Sequence, residues 1–231
     1  MHSFRAIVFT SVLVGLIAGI VVSSVQFIGT APLILKAEVY EKAGEQAPPA
    51  HDGMAASHEH EQSTWEPADG FERNVYSVSA NILTSIGYAL VLIGFIALRG
   101  KPITWREGLL WGMAGFTCVM LAPMLGLPPE LPGTPSAPVG ERQIWWIATV
   151  AATAAALGLL AFQRKPWALV LAFVLAAAPH WIGAPAAPGG DHALAPQTLE
   201  LQFVAATVVT SLIFWALLGS LSGIFLRRFT A

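Results

Sequence analysis

Residues 6–28 read AIVFTSVLVGLIAGIVVSSVQFI, an apolar stretch without one charged side chain. A helix needs about 20 such residues to cross the hydrocarbon core of a bilayer, so this stretch alone decides the class of fold. The apolar core of a secretory signal is shorter, roughly 7 to 15 residues, and no clear small-x-small cleavage site follows here, so we read the stretch as a retained span. Five further runs share its character, near residues 75–98, 108–127, 144–162, 167–182 and 203–226, and none contains Asp, Glu, Lys or Arg. The run at 167–182 is short and carries Pro179 and His180 at its end, which leaves a five-span reading open. The expected fold is all-α: a polytopic membrane helical bundle of about six transmembrane helices, with residues 1–231 as a single integral membrane domain.

The composition points the same way. Charged residues make up 11% of the chain, against about 25% in soluble domains, and the mean hydropathy is +0.63. Cys118, the single cysteine, lies inside an apolar run, so no internal disulfide can form. Small residues recur at helical spacing as Gly15 and Gly19, Gly108 and Gly112, and Gly219 and Gly223. Such pairs let helices approach closely in lipid and support a packed bundle.

The charges are sorted by loop. Arg5, Arg99, Lys101, Arg106, Arg164, Lys165, Arg227 and Arg228 flank alternate ends of the runs and fall on one side only if there are six spans. Basic residues in short loops stay preferentially cytoplasmic, so both termini are expected in the cytoplasm of a bacterial inner membrane, with the other loops periplasmic. Apart from Glu107, every acid falls on the outer side, as does every histidine apart from His2. The first outer segment, residues 29–74, is rich in Ala, Pro, Glu and His, has few large apolar residues, and is expected to be a long, mostly mobile loop. The second, around Pro128, Pro129, Glu130 and Pro132, should be stiffened by proline. The third runs from Pro179 to Gln202.

The sharpest chemical feature is His51-Asp52-Gly53-Met54-Ala55-Ala56-Ser57-His58-Glu59-His60-Glu61. Imidazole and carboxylate together suit borderline divalent ions such as Co²⁺, Ni²⁺, Zn²⁺ and Cu²⁺. The metal ligands would be His51, Asp52, His58, Glu59, His60 and Glu61, although their spacing matches no fixed metal-site pattern. A soluble, charged linker that is merely rich in histidine is the alternative. His180 and the Asp191-His192 pair form a second candidate, with His180 and His192 as ligands aimed by a proline-rich loop; Glu130 could join them. A histidine at a membrane interface more commonly bonds only to backbone or water.

Within the spans the notable polar residues are Gln26, Asn81, Thr84, Ser85 and Thr117, which usually bond to neighbouring helices. Met113, Met120 and Met124 share one face of the third run, a pattern that is far more often packing than metal ligation. No phosphate loop is present: Gly94 to Gly100-Lys101-Pro102 fails in both spacing and the residue after lysine. No catalytic constellation is supported, and short cytoplasmic loops argue against nucleic-acid binding. The chain is therefore expected not to be an enzyme and to hold no permanent cofactor.

Four strings carry a family resemblance: Trp65-x-Pro67-Ala68-Asp69-Gly70-x-x-Arg73; Leu121-Ala122-Pro123-x-Leu125-Gly126-Leu127-Pro128-Pro129-Glu130-Leu131-Pro132-Gly133; Arg142-Gln143-x-Trp145-Trp146; and Pro179-His180-x-x-Gly183-Ala184-Pro185. With a first span followed by a His and acid loop, the chain resembles the CbtA-type family of predicted cobalt transporter subunits over nearly its whole length. The resemblance implies a membrane protein associated with cobalamin synthesis and partnered by a small single-span CbtB-type subunit, with Co²⁺ or another divalent metal as substrate. That family is usually described with about five spans and a loop denser in histidine. Two other readings stand beside transport: a non-transporting accessory subunit, favoured by spans free of charge, and a membrane metalloenzyme or haem protein using His180 and His192.

Overall fold

A computed structural model describes residues 2–45, 67–187 and 193–230. Among the described residues all regular structure is helical: α1 (His2–Ile28), α2 (Ala31–Glu45), α3 (Phe71–Leu98), α4 (Trp105–Met124), α5 (Val139–Phe162), α6 (Pro166–Ile182) and α7 (Gln197–Thr230). Five of them are long and apolar enough to cross a membrane. The exception among the apolar helices is α6, whose 17 residues sit at the lower limit for a span.

Contacts between helices fix the direction of each pass. Gly15 and Gly19 of α1 face Ile86 and Ile82 of α3, in that order, so the two run antiparallel. Phe9 meets Phe229 of α7 with ring centroids 5.1 Å apart, while Gly29, just past α1, lies near Thr210. Helix α7 is therefore antiparallel to α1, and α4, with Gly108 against Gly219 and Gly112 against Trp215, is antiparallel to α7. Trp145 near the start of α5 donates from Nε1 to the Pro179 carbonyl near the end of α6 at 3.2 Å. Helix α6 thus runs back along α5 to the level of Trp145. Eight of the basic residues gather at one end and most acids at the other; the two are called here the basic and acidic ends.

Helix association in lipid gains little from burying apolar side chains, because the tails are equally apolar. Close backbone approach supplies the attraction here. A Cβ at Gly15 would lie 2.5 Å from Ile86 Cα, and one at Gly19 2.6 Å from Ile82 Cα. At the α4–α7 crossing the glycines meet glycines, and an added Cβ on Gly112 would overlap the Trp215 carbonyl. Around these crossings Val14, Ile93, Ile96, Phe116, Trp215 and Leu218 form the apolar core.

One local feature differs from the sequence reading, and two add to it. The segment 29–74, read as a loop, begins with α2. That helix has no core of its own, but Ala37, with Leu33 and Ile34 beside it, packs on Leu131 and on Ala195, Leu199 and Phe203 at the head of α7. In α4 a π turn spans Thr117–Leu121, with Ala122 N–H donating to the Thr117 carbonyl. Pro123 lacks the N–H that would bond the Val119 carbonyl, and the widened turn accommodates the missing bond. Finally, Glu107, the one acid at the basic end, closes a capping box: its backbone N–H donates to Thr104 Oγ1 and its carboxylate accepts from the Thr104 N–H at 2.9 Å. Arg99 bonds the same carboxylate at 2.9 Å.

Replacing Gly112 by leucine should lower stability by about 3 kcal/mol or more, the scale of severe overpacking against backbone. Gly94, with open space around its Cα, should accept leucine within about 0.5 kcal/mol. Unfolding of the two variants by titration with sodium dodecyl sulfate in mixed micelles checks the contrast.

Candidate functional site

Toward the acidic end from the α1–α3 glycine contact, the two helices are joined by polar groups. Asn81 Nδ2 donates to Ser23 Oγ at 3.0 Å and to Gln26 Oε1 at 2.6 Å, and Ser85 Oγ donates to the Asn81 carbonyl at 2.6 Å. Ser23 in turn donates to the Gly19 carbonyl, tying this cluster to the crossing below it. Beside it lies a half-open cavity of about 740 Å³ bounded by α1, α2, α3, α7 and Met120 of the π turn, reaching from Asp69 past Asn81 to Tyr88.

The lining divides into levels. At the mouth lie Asp69 and Arg73, with Arg73 holding Glu38 of α2 in an ion pair and reaching Asp69 at 3.3 Å. The middle carries neutral oxygens, among them Gln26, Thr30, Ser77, Thr84 and Ser211, set among apolar groups such as Val22, Phe27, Ile34 and Phe203. At the bottom Tyr88 packs edge-on against Phe214 and Trp215, with centroids 6.1 and 5.2 Å apart. Below that floor the fully buried Ile93 and Leu218 belong to the apolar core. The cavity is thus a vestibule that reaches the acidic end and stops at an aromatic and aliphatic plug. Helix α2 roofs one side through Ala31, Ile34 and Leu35.

A second cavity of about 640 Å³ lies on the other side of α4, lined by Met120, Met124, Glu130, Arg142 and Trp146 among others. Met120 borders both, so the π turn is a partition between them. The proline and tryptophan strings of the sequence converge beside this second space. Trp145 is their meeting point: its ring leaves no room for a Cβ on Gly126, its Nε1 donates to the Pro179 carbonyl, and it makes a T-shaped contact with the His180 ring, centroids 5.7 Å apart. Gly183, at a φ of 90° that favours glycine, ends α6 and lets Ala184 reach Gly126.

Of the candidate metal ligands, His180 is placed by the structure, and its described ring contact is with Trp145. Glu130 pairs with Arg142 at 2.8 Å. His51, Asp52, His58, Glu59, His60, Glu61 and His192 lie outside the described residues, as does Asp191. Among the described residues no group of three His, Cys, Asp or Glu side chains is gathered as a metal site. The residues of the vestibule were visible in the sequence only in part. Gln26, Asn81, Thr84 and Ser85 stand out there as polar groups in apolar runs, whereas Thr207, Ser211 and Tyr88 carry no signal of facing one space.

The second, third and fourth motif strings thus meet around Trp145. The model of the CbtA family, described as a probable cobalt transporter subunit, matches residues 4–227. The chain belongs to the CbtA family. It is accordingly a multi-pass membrane protein of a family of transporter subunits. Neither the curated proteins nor the solved structures contain a match to this chain.

Trp145→Phe removes one buried hydrogen bond and should cost about 1 kcal/mol, while Trp145→Ala also empties the hub and should cost about 3 kcal/mol. Thermal unfolding in a fixed detergent measures both. Equal stability of Trp145→Ala and the parent would show that the loops do not depend on this ring.

Proposed function

We propose that this CbtA-family chain is the path-bearing membrane subunit of a divalent-metal uptake system, with Co²⁺ as the substrate. The observation that carries the reading is the vestibule: a cavity lined by hydroxyls and amides as well as apolar groups, running from Asp69 and Arg73 near the acidic end to Tyr88 and Phe214, beyond which the apolar core begins. Polar residues are costly in lipid unless they face one another or water, which favours a hydrated cavity here. The positive-inside bias orients the acidic end to the periplasm of a bacterial inner membrane and both termini to the cytoplasm. In that orientation the loop ligands His51, Asp52, His58, Glu59, His60 and Glu61 meet the ion first, and carboxylates raise its local concentration. His180 and His192 would serve the same face. Passage requires the plug of Tyr88, Phe214 and Trp215 to part, which a rocking of α7 against α1 and α3 would accomplish.

The chain holds no permanent cofactor in this reading and catalyses no reaction; the metal is cargo. A small single-span CbtB-type subunit is the expected partner. The apolar plug also favours a second reading, in which this chain is an accessory subunit and the partner completes the path.

Purified chain in liposomes loaded with a cobalt-sensitive dye decides between the two. Cobalt entry without any partner is the result expected here; entry only when the partner is added establishes the accessory role. In cells, deletion of residues 51–61 should reduce uptake several-fold at limiting cobalt and little at saturating cobalt. Because imidazole ligates only when neutral, the deletion should matter less below a pH of about 6.5, where the loop histidines are protonated. Unchanged uptake at limiting metal would remove the capture role.

A further inference from the structure

The lining of the vestibule is unusual for a site meant to grip a borderline divalent ion. Such ions are held by imidazole, carboxylate or thiolate. Below the Asp69–Arg73–Glu38 cluster at the mouth, the polar lining consists of amides and hydroxyls, including the Tyr88 phenol, with the single thioether of Met120. Neutral oxygens of this kind compete poorly with water for the first coordination shell of Co²⁺, and stripping that shell inside a bilayer carries a heavy desolvation cost. They are well suited to a different task. Each can accept hydrogen bonds from the polarised waters that surround such an ion.

The dimensions agree. Six waters at about 30 Å³ each give a hydrated ion on the order of 200 Å³. The cavity, at about 740 Å³, holds such a particle with room to move, and is far larger than a bare ion needs. The oxygens are also distributed around the space: Gln26 from α1, Ser77 and Thr84 from α3, and Ser211 from α7. The Asn81 amide spends its two N–H groups on Ser23 and Gln26, which turns those three residues into a fixed wall.

We infer that the vestibule recognises its cation through the ion's own shell, holding a six-coordinate hydrated ion by hydrogen bonds to neutral oxygens that include Gln26, Thr84 and Ser211. The inference rests on the reading above that the vestibule admits a divalent cation. It adds the chemical form in which the ion is bound. The ligand class is a six-coordinate cation with hydrogen-bond donors on its outer surface. Exchange-labile and exchange-inert ions of that shape should compete for the same space.

The test uses hexaamminecobalt(III), whose ammine ligands do not exchange, so that no protein atom can enter its first shell. The full chain is placed in nanodiscs of zwitterionic lipid and binding is followed by calorimetry. The expected result is saturable binding, displaced by Co²⁺ and weakened about tenfold by Thr84→Val combined with Ser211→Ala, the loss of hydrogen bonds to a charged ligand. These two side chains line the cavity away from the glycine crossings. A thermal unfolding midpoint equal to the parent's confirms that the variant is folded. Three results overturn the inference: Co²⁺ binds and hexaamminecobalt(III) does not; neither ion binds; or the double variant binds as tightly as the parent, which places the ion on the acidic surface instead. Cobalt uptake by the same preparation in liposomes separates this from the transport reading. Uptake without hexaammine binding sinks the hydrated-ion site alone, and binding without uptake sinks transport alone.

Discussion

Backbone contact at glycine is the constraint on which the rest of this bundle depends. In water the long apolar helices would be driven together by burial of their side chains, but lipid tails offer those side chains an equally good environment. What lipid cannot supply is the close approach of two backbones. Gly15 and Gly19 give that to α1 and α3, and Gly108, Gly112, Gly219 and Gly223 give it to α4 and α7. With these crossings made, Phe116, Trp215 and Leu218 are brought into one core, and α1, α3, α4 and α7 become a single frame. The α5–α6 hairpin is secondary to it, attached along the end of α4 and anchored by Trp145.

The same crossings explain where the frame is open. They hold the helices together in the middle and toward the basic end, and the vestibule opens beside the α1–α3 crossing, on the face of α3 that carries Asn81, Thr84, Ser85 and Tyr88. The Asn81 amide, joined to Ser23 and Gln26, fixes the wall between the crossing and the cavity. Past Tyr88, Phe214 and Trp215 the cavity gives way to the apolar core of Ile93 and Leu218.

Much of this was legible in the sequence because lipid imposes simple rules. Length and apolarity mark the spans, basic residues mark one end, and the three glycine pairs mark the crossings. The structure places each pair at a helix contact. Other features were hidden because they depend on tertiary neighbours. Helix α2 looks like loop until Leu131 and the head of α7 cover Ala37. The π turn follows from Pro123, yet a proline near a span end equally suggests that the helix stops. Glu130, Arg142, Trp145 and Pro179 could be named as motif residues. Which of them would touch depends on how the α5–α6 hairpin folds back on α4. The histidine and acid segment, prominent in the sequence, lies outside the described residues, and its role rests on chemistry alone.

The central claim is that water reaches the middle of the bundle from the acidic side and no further. Cysteine accessibility tests it most directly. In a Cys118→Ala background, a thiol placed at Thr84 lines the vestibule, whereas one at Leu83 faces outward from the bundle toward lipid. A membrane-impermeant maleimide added on the periplasmic side of intact spheroplasts should label Thr84→Cys and leave Leu83→Cys unmodified. Failure of Thr84→Cys to react, or its labelling from the cytoplasmic side of inverted vesicles instead, would contradict the account.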